Sequence, residues 1–83
     1  MIRVKSTTGV KALASSLLAA RKNKENIEMS CVGASSISQA IKAVITANKE
    51  LSSEGTKFVV DPIFSKTVES PNIISITLRL SEI

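Results

Sequence analysis

The sequence predicts a two-layer α/β domain in the order strand, helix, strand, helix, strand, strand, with a mixed four-stranded sheet that carries both helices on one face. Three observations lead there. Several short segments alternate apolar and polar residues with the period of two that marks a half-buried strand, and two longer segments repeat apolar residues at helical spacing. Each of those helices shows a single apolar stripe. Helices on both sides of a sheet would leave its strands as nearly continuous apolar runs. Because these strands alternate, the second sheet face is expected to stay open to water or to a partner.

Ile2, Val4 and Ser6 alternate with Arg3 and Lys5 in the first strand, which Thr7-Thr8-Gly9 ends. From Gly9 to about Lys24, Val10, Leu13, Ala14, Leu17 and Leu18 form a helical stripe. Arg21, Lys22 and Lys24 fall in its last turn, where cations oppose the negative end of the helix dipole. Ile27, Met29 and Cys31 alternate with Glu28, Ser30 and Val32 in a second strand. After the turn Gly33-Ala34-Ser35, Ser36 and Gln39 match the capping-box pattern, in which the serine oxygen accepts from the Gln39 amide and the glutamine side chain reaches back. The second helix continues through Ile37, Ala40, Ile41, Val44 and Ile45 to about Leu51, with Ser38, Lys42, Thr46 and Lys49 outward.

Ser52-Ser53-Glu54-Gly55 reads as a loop, after which Phe58 and Val60 alternate with Lys57, Val59 and Asp61. Pro62 lacks an N–H and limits how far this strand can pair as a central one. Ser65 to Asn72 is expected to connect a hairpin. In the last strand, Ile73 to Leu80, Ile74, Ile76, Leu78 and Leu80 face one way and Ser75, Thr77 and Arg79 the other. The charged members of the open sheet face are then Arg3, Lys5, Glu28, Lys57, Asp61 and Arg79.

The 83 residues fit one domain spanning 1–83. A chain of this size buries only about 60% of its unfolded surface, so packing against a second copy is a natural source of further stability. Homodimers or tetramers are expected. One cysteine cannot form an internal disulfide, the first residues lack the apolar run of a signal peptide, and no stretch approaches a membrane span. These features predict a cytoplasmic protein with no membrane partner.

Chemistry for catalysis is sparse. The chain has no histidine, which removes the commonest general base and metal ligand. Cys31, mid-strand on the apolar face, reads as a small core hydrophobe, and Asp61, beside Pro62, as a strand-end residue with no second carboxylate near it in sequence. No metal-ligand cluster or nucleotide-binding loop is present. The expectation is a protein that is not an enzyme and uses no metal, cofactor or small-molecule substrate.

Charge is more informative. Net charge is +4, and residues 1–26 hold Arg3, Lys5, Lys11, Arg21, Lys22 and Lys24 against Glu25 alone. Such a basic excess attracts a polyanion through phosphate contacts, while its plainer reading is a solvated surface kept for solubility. The turn Gly33-Ala34-Ser35-Ser36 could also meet a phosphate with unpaired helix amides, although Ser36 has a capping role to fill. With no Tyr or Trp interleaved among the cations, recognition by stacking splayed bases is not expected.

Gly33-Ala34-Ser35-Ser36-Ile37-Ser38-Gln39-Ala40-Ile41-Lys42-Ala43-Val44 resembles the glycine-led turn and following helix of the stage V sporulation protein S family. Gly55 through Phe64, ending Asp61-Pro62-Ile63-Phe64, is similar to that family's third strand, and Ala12-Leu13-Ala14 with Leu17 to its first helix. The family is related to the Alba chromatin proteins, so the resemblance implies an Alba-like fold, dimers, and DNA or RNA binding. Carried over residue by residue, it implies a nucleic-acid-binding edge of Lys5 and Lys11, then Ser35 with Lys42, then Lys66 of the hairpin. Alba's paired lysines after the first strand are replaced by Lys5-Ser6-Thr7-Thr8, its basic residues around the glycine turn by Ala34, Ser35 and Gln39, and its arginine-rich hairpin by a short loop holding Lys66 and Glu69. The expected function is a regulator that binds nucleic acid with little sequence preference. The alternative is a protein-interaction module that docks a partner on its open sheet face or apolar edge.

Overall fold

A computed structural model describes residues 1–64 and 75–83. The element order is β1 (Ile2–Val4), α1 (Val10–Lys22), β2 (Ile27–Val32), α2 (Ala34–Leu51), a short 3₁₀ turn (Ser52–Glu54), β3 (Phe58–Phe64) and β4 (Ser75–Glu82). The strands form one mixed sheet in the order β1-β2-β4-β3. β1 runs parallel to β2, and β4 pairs antiparallel with both β2 and β3. This is the expected α/β architecture, with a difference at the ends of elements. The last strand extends to Glu82, and α2 starts at Ala34. The expected hairpin connection over 65–72, with Lys66, lies outside the described residues, as do Ile73 and Ile74.

Register decides which residues share a face. Val4 pairs with Cys31, Cys31 with Ile76 and Ile76 with Phe64, while Met29 joins Ile2 to Leu78. These rows carry the buried Val4, Ile27, Met29, Cys31, Phe58 and Leu78, over which both helices pack. α1 contributes Leu13, Ala14, Leu17 and Ala20 to this core, and α2 contributes Ala40, Ala43, Val44, Ala47 and Leu51. Three of these α2 residues are alanines with no exposed surface, so the helix backbone approaches its neighbours closely with little side chain between.

The other rows form the face away from the helices. Arg3 pairs with Ser30, and Ser30 with Thr77. Arg79 stands between Glu28 on β2 and Asp61 on β3. Its Nε lies 3.8 Å from Glu28 Oε1. The one strand arginine in the middle of this face is therefore flanked by carboxylates on both sides. The open face is mixed: Val32, Val59 and Ile63 share it with the polar residues, and the charge of Arg79 at its centre is offset by Glu28 and Asp61.

Lys57 and Ile83 exchange two backbone hydrogen bonds, of 3.1 and 3.0 Å, which extends the β3–β4 ladder by one pair. β3 is an edge strand, which is where Pro62 can be accommodated.

The capping box does not form. α2 begins two residues before Ser36, with Gly33 in the N-cap position, because Gly33 adopts φ 86° and ψ 159°, a region that side-chain-bearing residues rarely enter. Ser36 is fully buried, and its Oγ donates toward the carbonyl oxygens of Val32 and Gly33, each at 2.8 Å. Gln39 Nε2 instead donates to the Thr8 carbonyl at 2.8 Å. A side chain read as a local cap is in fact a tie between α2 and the turn ahead of α1.

Candidate nucleic-acid interface

Both helices start where the parallel strands β1 and β2 end, so their N-termini lie side by side. The Gln39–Thr8 bond joins them directly. Each N-cap is a glycine, Gly9 or Gly33, with no side chain to accept from the first-turn amides, and neither first turn carries an acidic residue. The positive ends of two helix dipoles are thus exposed together.

Lys5 is the first residue past β1 and lies exposed in the turn to α1. That turn is closed twice: the Thr8 amide donates to the Lys5 carbonyl at 3.0 Å, and the Lys5 amide donates to Thr8 Oγ1 at 2.8 Å. Lys11 and Ser35 are the second residues of α1 and α2, and both are exposed. Lys42 is exposed on α2, seven residues after Ser35 and three after Gln39, so all three share one helical stripe. It stands roughly 10 Å along the helix axis from Ser35. The structure brings Lys5, Lys11 and Ser35 to one end of the domain and sets Lys42 on the flank leading from it. Lys66 lies outside the described residues.

The helix stripes extend this grouping. Further along, Leu18 and Lys22 of α1 and Glu50 and Leu51 of α2 line a shallow depression between the helices. Lys11 is on the stripe of Leu18 and Lys22, whereas Lys42, about 80° around the helix from Glu50, lies on the outward stripe with Lys49. Lys11 therefore lies in line with the α1 wall of this inter-helix groove, toward the helix N-termini, and Glu50 and Glu54 line its lower part.

Carboxylates are distributed in the opposite sense. Glu25, Glu50, Glu54 and Glu82 sit at the end where α1 and α2 finish, and Glu28 and Asp61 lie on the open sheet face. At that far end Arg21 Nε donates to Glu82 Oε1 at 2.7 Å, and Arg21 Nη2 reaches Glu54 Oε1 at 3.3 Å. Thr56 Oγ1 lies 3.0 Å from Glu82 Oε2. The hydrogen bond from Arg21 holds the Glu82 carboxyl below its ordinary range, helped by Thr56, and the Arg21 guanidinium is pushed up in turn by Glu82. Among the described residues, no carboxylate stands at the helix N-terminal end.

The family model for stage V sporulation protein S matches residues 1–81. The chain belongs to that family. The stage V sporulation protein S family is one of sporulation regulators and is not a family of known enzymes. No curated protein matches the chain. For this member of the stage V sporulation protein S family, no group of three or more His, Cys, Asp or Glu residues among those described is placed to hold a metal ion. No helix among the described residues is long and apolar enough to cross a membrane. Cys31 is fully buried, and burial pushes its thiol pKa up, which suits a core residue and opposes thiolate chemistry.

Two residues of structural consequence bond partners that the sequence did not show. Gln39 was read as the capping-box partner of Ser36, but its actual partner Thr8 is 31 positions away. Asn48 shows no local motif, yet its side chain bonds both backbone groups of Phe58 on β3.

Proposed function

We propose that this protein is a non-catalytic regulator of the cytosol that binds DNA or RNA with little sequence preference. Binding uses the edge formed by Lys5, Lys11, Ser35 and Lys42, with Lys66 as a further contact. The observation that carries this reading is the distribution of carboxylates: Lys5, Lys11 and two helix N-termini without side-chain caps share an end at which no described residue is acidic, while the cations of the far end stand among glutamates, two of which hold Arg21. Phosphates are attracted by lysines, whose contacts release counterions, and by unpaired helix amides. Neither source requires a base edge, so sequence preference is weak.

A titration against duplex DNA and single-stranded RNA at two salt concentrations tests this. Affinity is expected to be micromolar or weaker, falling with salt by a log–log slope of about −0.9 per phosphate contacted on duplex DNA. Absence of binding to either at roughly 50 mM salt, where the counterion term is strong, would favour a protein-interaction module instead.

The proposed regulator works as a homodimer or tetramer. Ile41 and Ile45 lie on the α2 stripe that ends at Asn48, and Asn48 touches β3, so this stripe looks toward β3. Ile45 is 54% exposed, and Phe64, on the helix side of β3, is 80% exposed. Phe58, by contrast, is spent on the core. A second copy placed on Ile41, Ile45 and Phe64 would cover this apolar surface. Light scattering at tens of micromolar, roughly the range for a modest interface, should show a dimer or larger, and Ile45→Asp should dissociate it; a stable wild-type monomer would refute the proposal.

A further inference from the structure

The outer edge of β3 has an unusual arrangement of backbone groups. Lys57 and Ile83 exchange both their backbone hydrogen bonds, so by the alternation of an antiparallel ladder Val59, Asp61 and Ile63 also turn theirs toward β4. Phe58, Val60, Pro62 and Phe64 then turn their backbone groups outward, where no further strand of this sheet lies among the described residues. An edge of this kind is a template for another strand.

Two features of the sequence block it. Pro62 has no N–H to offer. Asn48, from α2, occupies Phe58: its Oδ1 accepts from the Phe58 amide at 2.8 Å and its Nδ2 donates to the Phe58 carbonyl at 3.1 Å. A single carboxamide thus takes both bonds that a neighbouring strand would make. Among the described residues nothing meets the outward N–H and C=O of Val60, which is left as the one residue between the two blocks with a full pair of groups.

We infer that Asn48 guards the β3 edge, keeping it from pairing antiparallel with the β3 strand of a second copy. Assembly of the wild-type chain then proceeds through side-chain surfaces, and the sheet stays four strands wide. Without Asn48, Phe58 and Val60 together present two N–H and two C=O groups in register, enough to start a ladder across two molecules.

The test pairs Asn48→Ala with Val60→Pro. Hydrogen exchange first establishes that Asn48→Ala is folded: the Phe58 amide, protected in the wild type, should exchange roughly tenfold faster or more, while the amides of β2 and β4 keep their protection. Sedimentation or light scattering should then show Asn48→Ala assembling beyond the wild-type state as concentration rises. Adding Val60→Pro removes the remaining outward N–H without touching a bond to β4, and should return the double variant to the wild-type state. If Asn48→Ala does not fold, Asn48→Asp replaces it, since that side chain keeps the acceptor for the Phe58 amide and frees only the carbonyl; its assembly should be weaker and should also vanish with Val60→Pro. A folded Asn48 variant that stays in the wild-type state overturns the inference. So does excess assembly that Val60→Pro leaves unchanged, because the association would then come from loosened packing.

Discussion

The two ends of the parallel β1–β2 pair place their cations in different surroundings. Where β2 starts, Arg21 is held by Glu82 and Glu54, and Glu82 in turn meets Thr56, so the end of α1, the 3₁₀ turn and the last strand are tied together. Where β1 and β2 finish, Lys5, Lys11 and Ser35 stand around two helix N-termini whose first turns have no acidic residue. The first end surrounds its cations with carboxylates and uses Arg21 for internal contacts, leaving Lys22 and Lys24 exposed beside them. The second leaves its lysines for an outside partner. Position in the fold, and not the count of lysines, separates a structural cation from one available for binding.

The strongest way to break this comparison is to reverse charge at each end in turn. Lys5→Glu with Lys11→Glu should abolish nucleic-acid binding, whereas Lys22→Glu with Lys24→Glu, at the far end, should weaken it less. Binding titrations at low salt read the difference, and equal losses from the two pairs would mean that the lysines act as a diffuse cloud.

A second test concerns the layer beneath the open end. Cys31 pairs with Val4 in the last shared row of β1 and β2 and has no exposed surface. Cys31→Ser places a hydroxyl there and should cost about 1–3 kcal/mol in denaturant unfolding. Binding by the folded fraction should survive. The native thiol should react slowly with a thiol reagent, and rapid modification would contradict its burial.

The clasped end should respond to acid. Because the Glu82 carboxyl is held below its ordinary value of 4.5 in the folded chain, its contribution to stability is complete above that value. This contribution disappears as pH falls through the lower folded-state pKa. Glu82→Gln should therefore flatten the acid side of the stability profile, seen as a smaller fall in melting temperature between neutral pH and about pH 3. An unchanged profile would show that the clasp contributes nothing in solution, as many exposed ion pairs do.

The smallest effect is expected at the close of α1. Lys24 has φ 56°, the left-handed position of a helix terminus in which Glu25 N–H donates to the Ala20 carbonyl and Lys24 N–H to the Arg21 carbonyl, both at 3.1 Å. Lys24→Gly should stabilise the fold by about 0.5–1 kcal/mol by relieving the Cβ penalty. It should leave nucleic-acid binding nearly unchanged, whereas a large loss of binding would place this end in the interface.

Much of the fold was legible because it is written in short-range periodicity. The alternation in Ile27–Val32 and the stripe of Leu13, Ala14 and Leu17 report burial directly, since each residue's orientation follows from local backbone geometry. Single apolar stripes on the helices also conveyed that the layers number two. The end of the domain with free lysines was legible in part: Lys5, Lys11 and Ser35 each follow or open an element, and their meeting follows from β1 and β2 being parallel.

What local pattern could not convey was which partner a polar side chain would choose. Ser36 and Gln39 satisfy the spacing of a capping box, yet Gly33 starts the helix earlier, Ser36 turns inward to the Val32 and Gly33 carbonyls, and Gln39 bonds Thr8. Asn48 finds Phe58 across the fold, and Arg21 finds Glu82 from 61 positions away. Periodicity thus determined the elements and the faces they bury, because apolar burial is non-directional and sums over many residues. Tertiary structure alone decided the pairings, because a hydrogen bond requires two specific groups within about 3 Å, and only the packed sheet order β1-β2-β4-β3 brings those groups together.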